Sequence, residues 1–293
     1  MERFSRSDLA CENTRGVLSA DEKRKVGPFT VQTLHTKNDG TSVGGEDERG
    51  RCVTVECGKI TMLDDDAREM LVRLIAGELR GMCERLTHRR PDSDFCVFVA
   101  GIGNAALTAD AIGPQTVGRL NVTRHLREHE SGLYHSIGCS AVCALAPGVL
   151  GQTGIETSEI LKSAVKCVRP HAVIVVDALA ARSCDRLAST VQISDTGIAP
   201  GSGVGNHRRA VNEQTLGVPV IAIGVPTVVD SSTLVYDALR KANIREIDGE
   251  LLKVLEEGES FFVSPKESDL ITEQISGILA RAIDVAFAEA LSG

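Results

Sequence analysis

The sequence predicts an α/β fold: a single domain built on a doubly wound, mainly parallel sheet flanked by helices, phosphorylase/hydrolase-like in class, behind a loose N-terminal arm. Three features predict it. The runs FCVFVA (95–100), AVIVV (172–176) and VIAIG (220–224) are continuously apolar, as strands covered on both faces are. Segments with apolar residues at helical spacing lie between them. At 293 residues and 42% apolar content, the chain has the material for a sheet with helices on both faces and a sizeable core.

The elements follow in order. Residues 1–50 are polar, with glycine and charge crowded into KNDGTSVGGEDERG (37–50), and read as a loose arm with at most short elements. The folded domain starts near Arg51, where RCVTVEC (51–57) alternates as a strand does. DDDAREMLVRLIAGELRGMCERL (64–86) places Leu71, Ile75, Leu79, Met82 and Leu86 on one helical face behind an acidic first turn, which the helix dipole favours. After the strand at 95–100, IGPQTVGRLNVTRHL (112–126) reads as a helix. ETSEILKSAVKCV (156–168) carries Ile160, Leu161, Val165 and Val168 on one face, and Pro170 stops it before the strand at 172–176. TVQIS (190–194) reads as an antiparallel or edge strand, and Pro219 introduces the strand at 220–224. ITEQISGILARAIDVAFAEAL (271–291) is a last helix with Ile271, Ile275, Ile278, Ala282 and Ala286 inward.

Bulk composition removes some function classes. With 40 acidic against 32 basic residues, net charge −8 and no Lys/Arg-rich run, the chain lacks the clustered positive charge that nucleic acid requires, and no nucleic-acid partner is expected. No run approaches the ~18 apolar residues of a membrane span, and the charged start lacks a signal-peptide core, so a cytoplasmic protein without a membrane partner is expected. The nine cysteines form no C-x-x-C pair and read as reduced, mostly buried thiols.

In doubly wound sheets, sites form beyond the carboxyl ends of the strands. Four aspartates stand after such runs: Asp110 behind GIGN, Asp177 directly after AVIVV, Asp195 after TVQIS, and Asp230 in VPTVVD. Any of them could simply cap the following helix. Asp110 and Asp177 differ because both follow central strands, closely enough to share one crevice, and neither has an adjacent basic residue. Two carboxylates in one crevice cannot both ionise cheaply, and a pair sharing one proton can activate water against an amide.

The remaining motifs are weaker. Gly101-Ile102-Gly103 lacks the third glycine of a dinucleotide fingerprint, Ala106 standing there, and GSGVGN (201–206) lacks the G-K-[ST] of a P-loop. No G-x-S-x-G elbow occurs, and no cysteine stands in a strand-turn-helix context beside a histidine. His125, His129 and His135 span a helix end and a glycine-containing loop without metal-ligand spacing, and read as solvent-exposed.

The segments GIGNAALTADAIGPQTVGRLNVTRHL (101–126), CALAPGVLGQTGIETSEI (143–160), VIVVDALAARS (173–183), QISDTGIAPGSGVGN (192–206) and GVPVIAIGVPTVVD (217–230), with VSPKESD (263–269), resemble the spore germination protease family of endospore-forming bacteria. The resemblance implies an endopeptidase of atypical aspartic type that degrades small acid-soluble spore proteins during germination. It places the catalytic pair at Asp110 and Asp177, with Asn104 and Thr108 in a supporting loop; the glycine-rich stretch with Asp195, Gly201, Gly203 and Gly205 reads from its residues as a flexible turn or a substrate-binding loop. The family fold is related to that of the hydrogenase-maturation proteases, whose glycine-asparagine-acid motif resembles GIGN with Asp110.

The resemblance further implies a homotetrameric zymogen of the forespore and spore core that processes itself. SDLACEN (7–13) resembles the family's processing pattern, so a cut between Asp8 and Leu9 is expected, dividing the chain into a propeptide (1–8), an arm (9–50) and a protease domain (51–293). No metal or cofactor is expected. Two rival readings stand beside this one: a metal-dependent peptidase of the hydrogenase-maturation type with the same acids as ligands, and a non-catalytic binding protein for an acidic spore partner.

Overall fold

The computed structural model describes residues 7–12, 17–20, 23–37, 49–199, 209–244, 248–257 and 261–288. Along the chain these form β1 (Val17–Ala20), β2 (Arg24–Val26), β3 (Phe29–Lys37), β4 (Arg49–Glu56), α1 (Asp65–Thr87), β5 (Cys96–Gly101), α2 (Ile112–Val117), α3 (Arg124–His129), α4 (Ser131–Ile137) and β6 (Ala141–Leu145). The second half adds α5 (Leu150–Thr153), α6 (Thr157–Val168), β7 (Ala172–Ala181), β8 (Thr190–Ser194), α7 (Glu213–Leu216), β9 (Val220–Asp230), α8 (Ser231–Lys241), α9 (Gly249–Glu257), β10 (Phe262–Val263) and α10 (Ser268–Phe287).

Among the described residues the strands make one sheet in the order β1-β3-β4-β8-β9-β7-β5-β6, with β2 on β3 and β10 on β9. The helix-covered centre, β9, β7, β5 and β6, is parallel throughout. On the β9 side the sheet continues antiparallel through β8, β4 and β3. The α/β class, the parallel centre and the antiparallel TVQIS strand are as the sequence leads one to expect.

Strand alternation sorts the core into two layers. Val97 and Val99 of β5, Ile174 and Val176 of β7, and Ile221 and Ile223 of β9 face Leu71, Ile75 and Leu79 of α1 and Ile275, Leu279 and Ile283 of α10. Phe98, Ala100, Val173 and Val175 face the other way, onto Leu161 and Val165 of α6 and Leu216 of α7. Each fully buried branched side chain contributes about 1.5–3 kcal/mol, so these layers hold the sheet between its helices.

Two expectations about individual segments are corrected. The residues before Arg51 do more than form a loose arm: β3 pairs with β4 from Thr30 opposite Glu56 to Lys37 opposite Arg49, and Phe29 and Val31 are fully buried in the main core. The single helix expected over 112–126 is broken after Val117, because Thr123 leaves helical geometry to join β6: its amide donates to Val142 O (2.9 Å) and its hydroxyl accepts from Val142 N (2.9 Å). No helix among the described residues is long and apolar enough to cross a membrane.

Candidate active site

The site begins where β5 ends. The amide of Ile102 donates to Val176 O (2.8 Å), which ties the turn after β5 to β7 one residue before Asp177. At Gly103, φ is +123° and an added Cβ would lie 2.0 Å from the main-chain oxygen of Asp110. Only glycine tolerates both that conformation and that approach. The chain then folds back, so that the Asn104 amide donates to Asp110 Oδ2 (2.7 Å). The Asn104 side chain braces the loop, its Oδ1 accepting from the Ala106 amide (3.0 Å) and from Gln152 Nε2 of α5 (2.6 Å).

Asp110 closes a short 3-10 turn, Thr108–Asp110, that is clamped from two sides. Thr227 of β9 donates its hydroxyl to Ala109 O (2.6 Å), and Thr272 of α10 donates to Thr108 O (3.1 Å). Thr108 therefore takes part through its carbonyl. The turn packs against both β7 and β9, so Asp110 stands at the carboxyl end of the parallel strands, beside the strand that carries Asp177.

Asp177 is 4% exposed and its Oδ1 accepts from the Ala178 amide (2.9 Å). Along β7 it lies between Val175, in the layer under α6, and Leu179, in a small apolar cluster with Leu9 and Ala181. Ile198 packs against both clusters. Gly224, its register partner on β9, has no side chain because a Cβ there would meet Leu179 Cδ1 at 2.3 Å.

The other strand-end aspartates are structural. Asp230 caps α8, accepting from the Thr233 amide (3.1 Å). Asp195 of the candidate substrate loop is paired with Arg85 of α1 and accepts from the Arg51 amide (2.7 Å). Since β8 runs antiparallel to β9, with Ser194 opposite Ala222, its end points away from the edge where Asp177 lies. Gly201, Gly203 and Gly205 lie outside the described residues, and the chain on either side of them is joined by Ile198 and Val211, which exchange main-chain bonds of 3.0 and 2.7 Å.

The three histidines are exposed on α3 and α4. No group of three or more metal-binding side chains occurs among the described residues. The nine cysteines are free thiols, five of them buried.

The expected processing segment is the least anticipated part of the site. Residues 7–12 run alongside the end of β7 rather than as a free arm: the Asp8 amide donates to Ala180 O (3.0 Å), and the Ala180 amide donates to Asp8 Oδ2 (2.9 Å). Leu9 is fully buried on Leu179 and Ala181. In this register Asp8 sits beside a residue three positions, or about 10 Å of strand, past Asp177. The Asp8–Leu9 bond thus lies away from Asp177 in this arrangement. Sequence reasoning missed Gln152, Thr227 and Thr272, all distant in sequence from the loop they brace.

A sequence model of the germination protease family matches residues 2–241. The germination protease of Clostridium acetobutylicum is 37% identical over 310 residues, covering 97% of this chain and 93% of its own. That of Clostridium perfringens strain 13 is 38% identical over 288 residues (91% and 86%), and that of Bacillus subtilis strain 168 is 42% identical over 219 (75% and 58%). Among solved structures, the [NiFe] hydrogenase maturation protease HycI from Thermococcus kodakarensis KOD1 aligns with a TM-score of 0.35 and 17% identity, over 66% of this chain and 93% of that one.

Proposed function

Because the chain belongs to the germination protease family, we propose that this protease degrades small acid-soluble spore proteins, using Asp110 and Asp177 as its catalytic pair. The observation that carries the assignment is the placement of a 4%-exposed carboxyl, Asp177, on the central strand against which the clamped Asp110 turn packs. A buried acid that only capped a helix would sit at a helix start, as Asp230 does; Asp177 lies inside β7.

The chemistry then needs no group beyond the two acids. One carboxylate removes a proton from water as the oxygen attacks the scissile carbonyl carbon, and the protonated partner gives its proton to the carbonyl oxygen. When the tetrahedral intermediate collapses, the C–N bond breaks and the leaving nitrogen takes up a proton from the pair. The clamp by Thr227 and Thr272 keeps the Asp110 turn from drifting, which matters because small misplacements of catalytic groups cost large factors in rate.

We further infer a self-processed zymogen cut at Asp8–Leu9, a homotetrameric assembly, and action in the spore core; the family and the acidic-apolar segment at 8–9 support this reading. The test is incubation of the purified chain with a small acid-soluble spore protein, with and without chelator, beside Asp177→Asn. Cleavage that survives chelator and disappears in the variant supports the pair. Activity lost to chelator and restored by stoichiometric metal would replace it with a metal-dependent peptidase. Tight binding without any cleavage would replace it with a binding protein.

A further inference from the structure

We propose that Asn104 is a catalytic residue whose side-chain NH2 group donates to the scissile carbonyl oxygen as negative charge gathers there, and that Gln152 is the positioning residue that aims it. The proposal rests on the reading of Asp110 and Asp177 as a protease pair.

The turn that places Asp110 also places Asn104. Its main-chain amide donates to Asp110 Oδ2 (2.7 Å), so its side chain leaves the backbone one bond from the atom that holds the carboxylate. The same turn is close to Asp177. Ile102 N donates to Val176 O (2.8 Å), and an added Cβ at Gly113, three residues past Asp110, would lie 2.5 Å from that oxygen. Asn104, Asp110 and Asp177 are thereby gathered where β5 ends beside β7.

Elementary chemistry fixes which way the Asn104 amide faces. A main-chain N–H can only donate, so the atom that meets the Ala106 amide (3.0 Å) is the carbonyl oxygen Oδ1. Gln152 Nε2 donates to the same oxygen (2.6 Å), which occupies its second lone pair. Nδ2 keeps two N–H donors with no hydrogen-bond partner among the described residues. Asn104 and Asp110 are both partly exposed, so a bound peptide can reach them. Gln152 is itself restrained: its main-chain amide donates to Val149 O (2.9 Å), and its Oε1 lies where a Cβ on Gly148 would meet it at 3.2 Å. The nearby hydroxyls of Thr227 and Thr272 are engaged by Ala109 O and Thr108 O.

An aspartate pair holding one proton keeps a net negative charge, which opposes further charge on the carbonyl oxygen. A neutral, already aimed amide donor eases that charge and leaves the shared proton in place, whereas a cation there would lower the pKa of the pair. As the water oxygen bonds to the carbonyl carbon, the C=O π pair moves onto oxygen. That oxygen takes the acid's proton on one lone pair and the Nδ2–H bond on another. On collapse it returns the proton to the pair, the C=O bond re-forms and the C–N bond breaks, so the aspartates make every proton transfer and Asn104 keeps both hydrogens.

The experiment is steady-state cleavage of a small acid-soluble spore protein by the full chain across pH, with urea unfolding of each variant. Asn104→Asp keeps an oxygen for Ala106 and Gln152 but has no N–H; Asn104→Leu has neither and carries no charge. Both should hold KM within about twofold and lower kcat by about 10²-fold or more, read at each variant's own pH optimum. Reading at the optimum separates loss of a donor from the shift of the profile that an added carboxylate causes. Gln152→Leu should lower kcat by about threefold to tenfold with KM and the urea midpoint unchanged, because the donor is present but no longer aimed.

Full kcat in Asn104→Asp would reduce Asn104 to a brace and overturn the proposal, as would a loss carried by KM alone. Unchanged kcat in Gln152→Leu would remove its positioning role. If Asn104→Leu does not fold, Asn104→Asp, which preserves the bonds of the turn, carries the test. Cleavage lost in Asp177→Asn but kept in Asn104→Asp would sink the donor and leave the pair standing, whereas cleavage kept in Asp177→Asn would sink the pair itself.

Discussion

The main-chain amide of Asn104 donates to Asp110 Oδ2 at 2.7 Å across a turn that Gly103 alone can make. Any Cβ at 103 would press on the Asp110 backbone itself, which has no flexible end to yield. Gly103→Ala should therefore lower stability by about 3 kcal/mol and reduce kcat further than KM changes, because the carboxylate is displaced. Denaturant unfolding and steady-state kinetics on one preparation check both; an Ala variant of full activity would show that the turn does not aim Asp110.

Asp177→Asn keeps shape and removes the charge. The fold should persist and proteolysis should fall by about 10³ or more. Near-UV circular dichroism confirms the fold, and a cleavage assay that finds comparable turnover would rule out the pair.

The proposed self-processing carries its own signature. Mass spectrometry of the wild-type chain after mild acidification should show loss of Met1 to Asp8, while Asp110→Asn stays full length. Since Leu9 is fully buried in place, release of the segment should precede the cut, and protease sensitivity at residues 7–12 should appear before the truncated mass does. Equal trimming of the mutant in a pure preparation would exclude cleavage by this site.

His171 makes a pH prediction with a definite sign. Burial first, then Arg89 nearby, push its pKa below the ordinary histidine value, and its Nδ1 accepts from the Cys96 amide (2.8 Å). On acidification through about 6.5 the unfolded chain takes up a proton that the folded chain resists, so stability present above that pH is lost below it. The Tm should fall as pH drops from about 7.5 to about 5.5, and His171→Gln should flatten the slope. An unchanged slope would assign the pH dependence to other groups.

The thiols should separate by burial. Cys167 is exposed, whereas burial pushes Cys52, Cys57 and Cys83 up to about 12. A disulfide reagent near neutral pH should label Cys167 at once and these three only after denaturation, as peptide mapping would show. Prompt labelling of Cys57 would place its strand end in a far more open state than the one described.

The parallel centre was legible because strands buried on both faces must be apolar without interruption, and 95–100, 172–176 and 220–224 are. The same logic singled out Asp110 and Asp177, but β7 runs on to Ala181, so Asp177 lies inside the strand rather than after it. That logic misdirects at Asp195, because β8 runs the other way and delivers its end to Arg85. The strand at Phe29–Lys37 alternates with Thr, Gln and His within a charged stretch, so its buried Phe29 and Val31 gave too little pattern to separate it from an arm. Residues 7–12 were illegible for a different reason: Ala180, Arg182, Ser183 and Gln192 make their bonds, and no local propensity encodes a partner that distant.

The place of β8 between β4 and β9 governs how the chain must emerge during synthesis. β3 and β4 leave the ribosome early and can zip together, yet the free edge of β4 waits for Thr190–Ser194 before it is covered. At ordinary elongation rates that is roughly seven to thirty seconds with an unpaired, partly apolar strand edge exposed. Until β8 arrives, that edge is open to other nascent chains and to chaperones.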